Sequence, residues 1–416
     1  MALAMALFWA ALPFLPKSLG LLGVWVLTVG WLYWRARISD YRWPLSPVNF
    51  PVVVLLLIVA ISTAGSVAMR SSLVSLAVWA TYLALFFLTA DVIRTRKDLG
   101  LLLSGSISAG AVVAVIGIVQ YFTGVEGTKQ WLDPKLAAEV SARVVSVLEN
   151  PNVLAEYLTL LIPLTAVLAL GTRRPRKRVF LLIALGLMAV AMTLTFSRAG
   201  WIATAFAVFL VAGIRDRRIV ALLLVLALIA PLVLPHAVVM RAGSVTLEDP
   251  SNRHRVSIWT GVVRMIRDYW PAGVGPGLTA FQTVYRDYLL PGARALHSHN
   301  LYLQVSVELG VFALASFLWA ILVWFGSLLR SVRVFRERKD GYLLGAGSAV
   351  LASLLGLMLH GLFDYIWFNP KVGLLFWGYV GLGVAISRMS LALAREGRGP
   401  HTGPDAQTVS GGEVAP

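Results

Sequence analysis

Apolar residues fill twelve long stretches of this chain, separated by shorter polar segments. Their cores lie at about 2–15, 19–34, 51–69, 72–92, 99–122, 152–171, 179–197, 199–213, 219–235, 299–329, 342–366 and 372–393. Most approach the roughly 20 residues with which an α-helix crosses a bilayer. The pattern predicts an all-α polytopic membrane protein of about twelve transmembrane helices. The first, eighth and ninth stretches are short for a span. The stretch 299–329 is long, and reads either as one tilted span or as a span with an extramembrane extension. No basic region or cleavage site opens the chain, so 2–15 is read as a first helix rather than a removable signal. Residues 1–396 then form one membrane domain, followed by a Gly- and Pro-rich tail at 397–416 that is expected to be disordered. No internal repeat is visible.

Basic residues orient this pattern, because Lys and Arg in short loops are retained in the cytoplasm. They follow the second stretch (Arg35, Arg37, Arg42), the fourth (Arg94, Arg96, Lys97), the sixth (RRPRKR, 173–178) and the eighth (Arg215, Arg217, Arg218). Five more lie at 330–339 after the tenth, and Arg388, Arg395 and Arg398 close the chain. Both termini are therefore expected in the cytoplasm. The net charge of +16 would suggest nucleic-acid binding in a soluble domain. Here it is spread over many short loops as an orientation signal, so no nucleic-acid partner is expected and RRPRKR reads as a clamp on lipid headgroups. The chain is 58% hydrophobic and 13% charged, and it has no cysteine. Disulfides and a thiol nucleophile are thereby excluded.

One outward loop, 236–298, is long enough to carry a site and opposes the orientation rule. It holds seven arginines (Arg241, Arg253, Arg255, Arg264, Arg267, Arg286, Arg294) against four acids. An anionic substrate accounts for that excess, as would ion pairing within the loop and to headgroups. Within it, RHRVSIWTGVVRMIRDYW (253–270) places Val256, Trp259, Val263 and Ile266 at helical spacing, which predicts an amphipathic helix on the membrane surface with Arg264 and Arg267 on its wet side. The glycines of PAGVGPGLTAF (271–281) are read as a tight turn rather than a phosphate loop.

The loop returns to the membrane through HSHNLYLQVSVELG (297–310), which uses two of only 6 histidines. Ser298 is the expected N-cap, with His299 and Asn300 in the first helical turn. A helix N-terminus and nearby arginines disfavour protonated imidazole, so a histidine here is expected to be neutral and able to accept a proton. The competing reading is an interfacial anchor. Asn300, Gln304 and Glu308 form a polar stripe expected to face protein or a wet cavity, and Gly310 is expected to admit a neighbouring helix. Arg198, in TFSRAGW between two spans, is either an anchor or part of the same anion site. The single acids Glu156, Asp91 and Asp364 read as packing or interfacial groups.

Four stretches taken together resemble the O-antigen ligase and polymerase superfamily of bacterial envelope enzymes: ENPNVLAEYL (149–158), TFSRAGW (195–201), the pattern from Arg255 to Gly277, and HSHNLYLQVSVELG. His299-Asn300 with Gly310 matches the ligases' His-Asn spacing to a glycine, and Arg286 with Leu290 matches their Arg-x-x-x-Leu element. Ala313 departs from the Gly, Thr or Val that ligases tend to have there. The resemblance implies a fold similar to GT-C glycosyltransferases, with one large periplasmic loop, in the bacterial inner membrane. It implies glycan transfer from undecaprenyl pyrophosphate to an acceptor hydroxyl, lipid A-core being the expected glycolipid acceptor, with inversion and without metal or other cofactor. His299 would be the general base, with Arg198 and Arg286 neutralising the pyrophosphate. Arg253, Arg255, Arg264, His297 and Asn300 would contact substrate, and His297, off the matched position, would serve as the control for His299. A polymerase of the same superfamily remains the alternative, followed by a lipid or solute transporter.

Overall fold

The computed structural model describes residues 1–38, 46–124, 143–233, 235–243 and 250–396; the expected tail at 397–416 and most of the loop 123–150 lie outside these. Among the described residues every regular element is helical, and each of the twelve apolar stretches contains a helix. In chain order these are α1 (Ala2–Ala11), α2 (Lys17–Ala36), α3 (Asn49–Ala64), α4 (Met69–Val92), α5 (Arg96–Thr123), α6 (Pro151–Gly171), α7 (Pro175–Leu194) and α8 (Arg198–Arg215). They continue with α9 (Arg217–Val233), α10 (His236–Gly243), α11 (Pro250–Asp268), α12 (Leu278–Tyr285), α13 (Leu301–Leu309), α14 (Val311–Glu337), α15 (Gly341–His360) and α16 (Pro370–Glu396).

Among the described residues, nine helices are long and apolar enough to span a membrane, or ten if α9 and α10, bent by 117° at their junction, form one broken span. The expected twelve is corrected to that extent. Helix α1 has 10 residues and α3 has 16, short of the about 20 that a span needs. Two prolines account for the interruption of the ninth stretch: Pro231 lies inside α9 and Pro235 opens the turn into α10, and neither offers an N–H. Helices α6, α15 and α16 are buried on nearly all sides and form the centre, whereas α2, α7 and α8 bury one face and present apolar residues outward.

Contacts separate two ends of the bundle. At one end Asp91 is buried between Arg35, Arg94 and the indole of Trp31, whose Nε1–H donates to it at 2.7 Å. Its reading as a packing group is thus met by a full set of partners. Arg96 reaches Asp340 at the same end, at 2.5 Å. The other end gathers the odd-numbered connections, including 65–68, 143–150, 195–197, the long loop and 361–369.

The stretch 299–329 is neither a single tilted span nor a simply extended one. It breaks at Gly310 (φ 86°, ψ 168°), which ends α13 and starts α14. The backbone groups freed by the break are taken up by the loop. Val274 and Gly275 donate N–H to the carbonyls of Val307 and Glu308, and Val311 donates to Trp270. Ser62 of α3 also donates to Glu308 O. So close an approach excludes side chains: a Cβ on Gly310 would lie 2.2 Å from Pro271 O, and one on Gly273 (φ +68°) would lie 2.3 Å from Glu308 O. The GVGPG turn is therefore a docking strip for a broken helix. Gly310 admits this loop backbone, not the neighbouring helix that was expected.

Helix α11 is amphipathic as predicted, but the face it packs is different. Ile258, Val262 and Met265 are fully buried, whereas Val256 and Val263 are exposed. The short α12 explains the rotation, because its Phe281, Val284 and Tyr285 form with that face a separate small core closed by Val274 and Val307. The loop is a packed cap over one end of the bundle, and Arg264 and Arg267 stay on its exposed side.

Candidate active site

Three side-chain caps set the helix starts around the site. Asn150 accepts from the N–H groups of Asn152 and Val153 to begin α6, with Pro151 in the first turn where no N–H is required. Ser197 accepts from Gly200 to begin α8, which makes Arg198 its first residue rather than a loop residue. Asn300, not Ser298, caps α13 by accepting from Tyr302 and Leu303, while its amide donates to Leu362 O at 2.9 Å. Ser298 is turned inward instead: its N–H donates to Gln304 Oε1 (2.7 Å) and its hydroxyl to Asn300 O (2.8 Å). Gln304 in turn donates to Glu308 at 2.8 Å, so the polar stripe faces protein, as expected.

His299 is consequently outside the helix, one residue before the cap, with φ +50°. That left-handed conformation is costly for a residue with a Cβ. It is held from both sides. Leu301 donates N–H to Gly361 O at 2.7 Å, and His299 N–H donates to Nδ1 of His297 at 3.2 Å. His297 is buried between His299, Tyr365 and Phe368, with ring centroids 4.2, 5.7 and 4.6 Å away. Burial, then the charges of His299 and Arg255, push its pKa down to about 4 against a smaller opposing pull from Asp364. A neutral His297 accepting through Nδ1 fixes the backbone of its neighbour. It is therefore a supporting group rather than the neutral control suggested by motif position.

The imidazole of His299 meets Asp364, with Nδ1 and Oδ1 3.2 Å apart. Asp364 also accepts from Asn152 Nδ2 (2.8 Å) and from the N–H of Tyr365 (2.9 Å). Burial alone would raise its carboxyl. The His299 hydrogen bond and charge, with His297 and Arg255, outweigh that and hold it well below the usual carboxylate range. An ionised Asp364 requires the proton of a neutral His299 to sit on Nδ1, which leaves Nε2 as an acceptor. The turn carrying Asp364 is anchored by Trp367, whose ring packs edge-on against Trp79 and Phe317 at 5.0 and 5.2 Å.

Asn152 links this pair to the arginines. Its Oδ1 accepts from Arg143 at 3.3 Å, and Arg143 Nε–H donates to Thr195 O at 2.9 Å, just before Arg198. Burial, and then the charges of Arg241, Arg255 and Arg198, push the Arg143 pKa down to about 9 against a pull from Asp364. Four guanidiniums thus share one neighbourhood beside His299, an arrangement that an anion relieves. Arg255 points this way because Trp259, one turn along α11, donates its Nε1–H to Ser298 O at 2.9 Å. Arg253 and Arg264 are exposed on α11 and stand outside the group. Arg286 is also exposed, and with Gln282, Arg294 and Leu296 it lines a cavity of about 470 Å3. An apolar cavity of about 460 Å3 runs among α7, α8, α9 and α10 and includes Trp201, Val238 and Ala242 in its walls.

Sequence reasoning missed Asp364, Asn152 and Arg143 as parts of the site. Loop parity was the signal for the first, since 361–369 emerges at the same end of the bundle as 236–298. Among the described residues, two sets of side chains have metal-ligand reach: His297, His299 and Asp364, and behind them Glu156, His360 and Asp364, with ligand atoms within 4.8 Å of one another in each set.

Fold and site together define a multi-pass helical membrane protein with a histidine–carboxylate pair beneath clustered arginines at one end of its bundle. Residues 183–318 match the family model described as O-antigen ligase, which supports the O-antigen ligase superfamily, a family of glycosyltransferase-like enzymes, for that segment. The match spans about a third of the chain and includes Arg198, Arg255, Arg286 and His299, but not Arg143, Asn152 or Asp364. No curated protein matches the chain.

Proposed function

We propose that this protein transfers a glycan from a polyprenyl pyrophosphate donor, undecaprenyl pyrophosphate in the family, to the hydroxyl of a glycolipid such as lipid A-core, at the periplasmic face with both termini cytoplasmic. The observation that carries the reading is the His299–Asp364 pair, its Nε2 left to accept a proton, beside Arg143, Arg198, Arg241 and Arg255. His299 Nε2 takes the acceptor's proton as the hydroxyl oxygen attacks the anomeric carbon. The bond from that carbon to the pyrophosphate oxygen breaks, the leaving pyrophosphate keeps the electron pair, and the configuration inverts. Asp364 orients the imidazole and stabilises its protonated form. The arginines meet the negative charge that grows on the leaving group. The apolar cavity near Trp201 suits the donor's lipid chain. Arg286 and Arg294 extend the basic surface toward the glycan, with Arg253 and Arg264 at its exposed margin.

A polymerase of the same superfamily fits this geometry equally well, because only the acceptor differs. Purified protein supplied with a lipid-linked glycan, with and without lipid A-core, separates the two. One acceptor-dependent product supports ligation, and a ladder formed without it supports polymerisation. If the lipid-linked glycan crosses a vesicle bilayer chemically unchanged, the protein is a transporter and the proposal fails.

A further inference from the structure

Behind Asp364 lies a polar pocket that the transfer reaction does not use. Glu156 lies one turn below Asn152 on the same face of α6, and His360 ends α15. The backbone turns there so that Asp364 donates N–H to His360 O at 3.1 Å. Glu156, His360 and Asp364 are 2%, 0% and 7% exposed, enclosed by the most deeply buried helices of the bundle. Glu156 Oε1 and His360 Nε2 face each other at 3.9 Å, too far apart for a hydrogen bond. Among the described residues, neither ring nitrogen of His360 has a hydrogen-bond partner, nor does Glu156 Oε2. A carboxylate and an imidazole held this way among buried helices lack the pairing with protein groups that buried polar groups otherwise show.

We infer that Glu156, His360 and Asp364 form a binding site for one divalent cation of the zinc class. A neutral imidazole and two carboxylates suit such an ion, and their two negative charges cancel its charge inside the bundle. With metal–ligand bonds of about 2.0–2.2 Å in a tetrahedral arrangement, donor atoms stand roughly 3.3–3.6 Å apart. Atoms already within 4.8 Å of one another therefore need to close by at most about 1.5 Å, which side-chain rotation supplies. Asp364 can serve the ion without releasing Asn152 or His299 through Oδ2, which accepts from Asn152 and keeps a second lone pair. The ion sits behind the histidine and away from the arginines, as a support for the turn that carries Asp364. The site stands on this geometry alone and is independent of the proposed transfer reaction.

The test uses the full-length protein in nanodiscs, stripped with chelator, loaded with Zn2+, desalted and measured for metal per chain. The expected result is one equivalent in the wild type and in His297→Ala, and a loss of most of it in Glu156→Gln and in His360→Gln. Because loss of fold in either variant would also lose the metal, Zn2+ is also titrated against the wild-type melting temperature, which should rise and then saturate at one equivalent. Loading with Co2+ should give the absorption bands of a nitrogen and oxygen ligand set. No bound metal and no thermal shift in the wild type would overturn the inference and leave a shared proton in the pocket. Loss of metal in His297→Ala, with retention in Glu156→Gln, would overturn it by moving the ion to the outer group of His297, His299 and Asp364.

Discussion

Replacing Asp364 by Asn separates the charge of this residue from its shape. In the wild type one carboxylate oxygen faces His299 Nδ1 and Tyr365 N–H, and the other accepts from Asn152. An amide has one oxygen. If that oxygen stays on the His299 side, its NH2 meets the NH2 of Asn152, which must then flip and give up the bond from Arg143. If it turns the other way, its NH2 faces His299 and stabilises the tautomer protonated on Nε2, which cannot act as base. In either orientation the charge-assisted bond is lost, which costs about 1.5–3 kcal/mol. The His299 side chain is 30% exposed, so solvent screens part of this. The expected loss is about 10- to 100-fold in kcat with little change in KM. Single-turnover transfer from a lipid-linked donor measures it, and a double-mutant cycle with His299→Ala should show that the two losses do not add. Wild-type kcat in Asp364→Asn, or full additivity with His299→Ala, would refute the role assigned to the pair.

Arg143→Ala and Arg198→Ala should each weaken donor binding about ten-fold at low salt, and less at high salt, as read by binding of the lipid-linked donor in nanodiscs; equal affinity would remove the arginines from the pyrophosphate. His297 has its pKa lowered from 6.5 to about 4 by burial. The unfolded chain therefore takes up a proton first as the pH falls. The stabilisation is complete above about pH 6.5, declines toward pH 4 and is gone below, at most about 3 kcal/mol. Melting temperatures across that window should fall more for the wild type than for His297→Gln, and parallel curves would contradict this. Gly273→Ala and Gly292→Ala both place a Cβ at positive φ, but only the first drives it into backbone, at 2.3 Å from Glu308. The first should cost the strain of about 1 kcal/mol plus about 1–3 for the overlap, and the second the strain alone; equal shifts in thermal melting would show that the loop does not dock as described.

Much of the fold was legible because apolar stretches near 20 residues have few alternatives in a membrane. The breaks within them were harder to read. Gly310 looked like a packing position, since nothing in its local sequence announces that Trp270 and Gly275 come back to satisfy its freed carbonyls and N–H groups. His299, Arg241 and Arg255 were legible together, being close in sequence and out of place in charge, and Arg198 through its own TFSRAGW stretch. Asp364 and Asn152 were not, because an acid at the end of an apolar stretch and an asparagine after a proline have common structural uses. Their meaning arises from convergence of residues 65 and 212 positions away in the chain. The cap of α13 was misassigned by two residues because Ser298 and Asn300 are both good capping types.

The docking of Val274 and Gly275 onto the broken helix has a consequence for how substrates reach the site. The strip 270–275 is tied to α13 and α14 through backbone hydrogen bonds, backed by packing of Val274 with Val307 and of Trp270 with Phe312. The cap and the helix that begins after His299 therefore form one stiff part. Under the proposed transfer, a bulky glycan passes the edge of the cap along Arg286 and Arg294, which among the described residues has no backbone bond to α13 or α14. A single residue inserted at the exposed Pro291–Gly292 should be tolerated where one added between Trp270 and Gly277 is not.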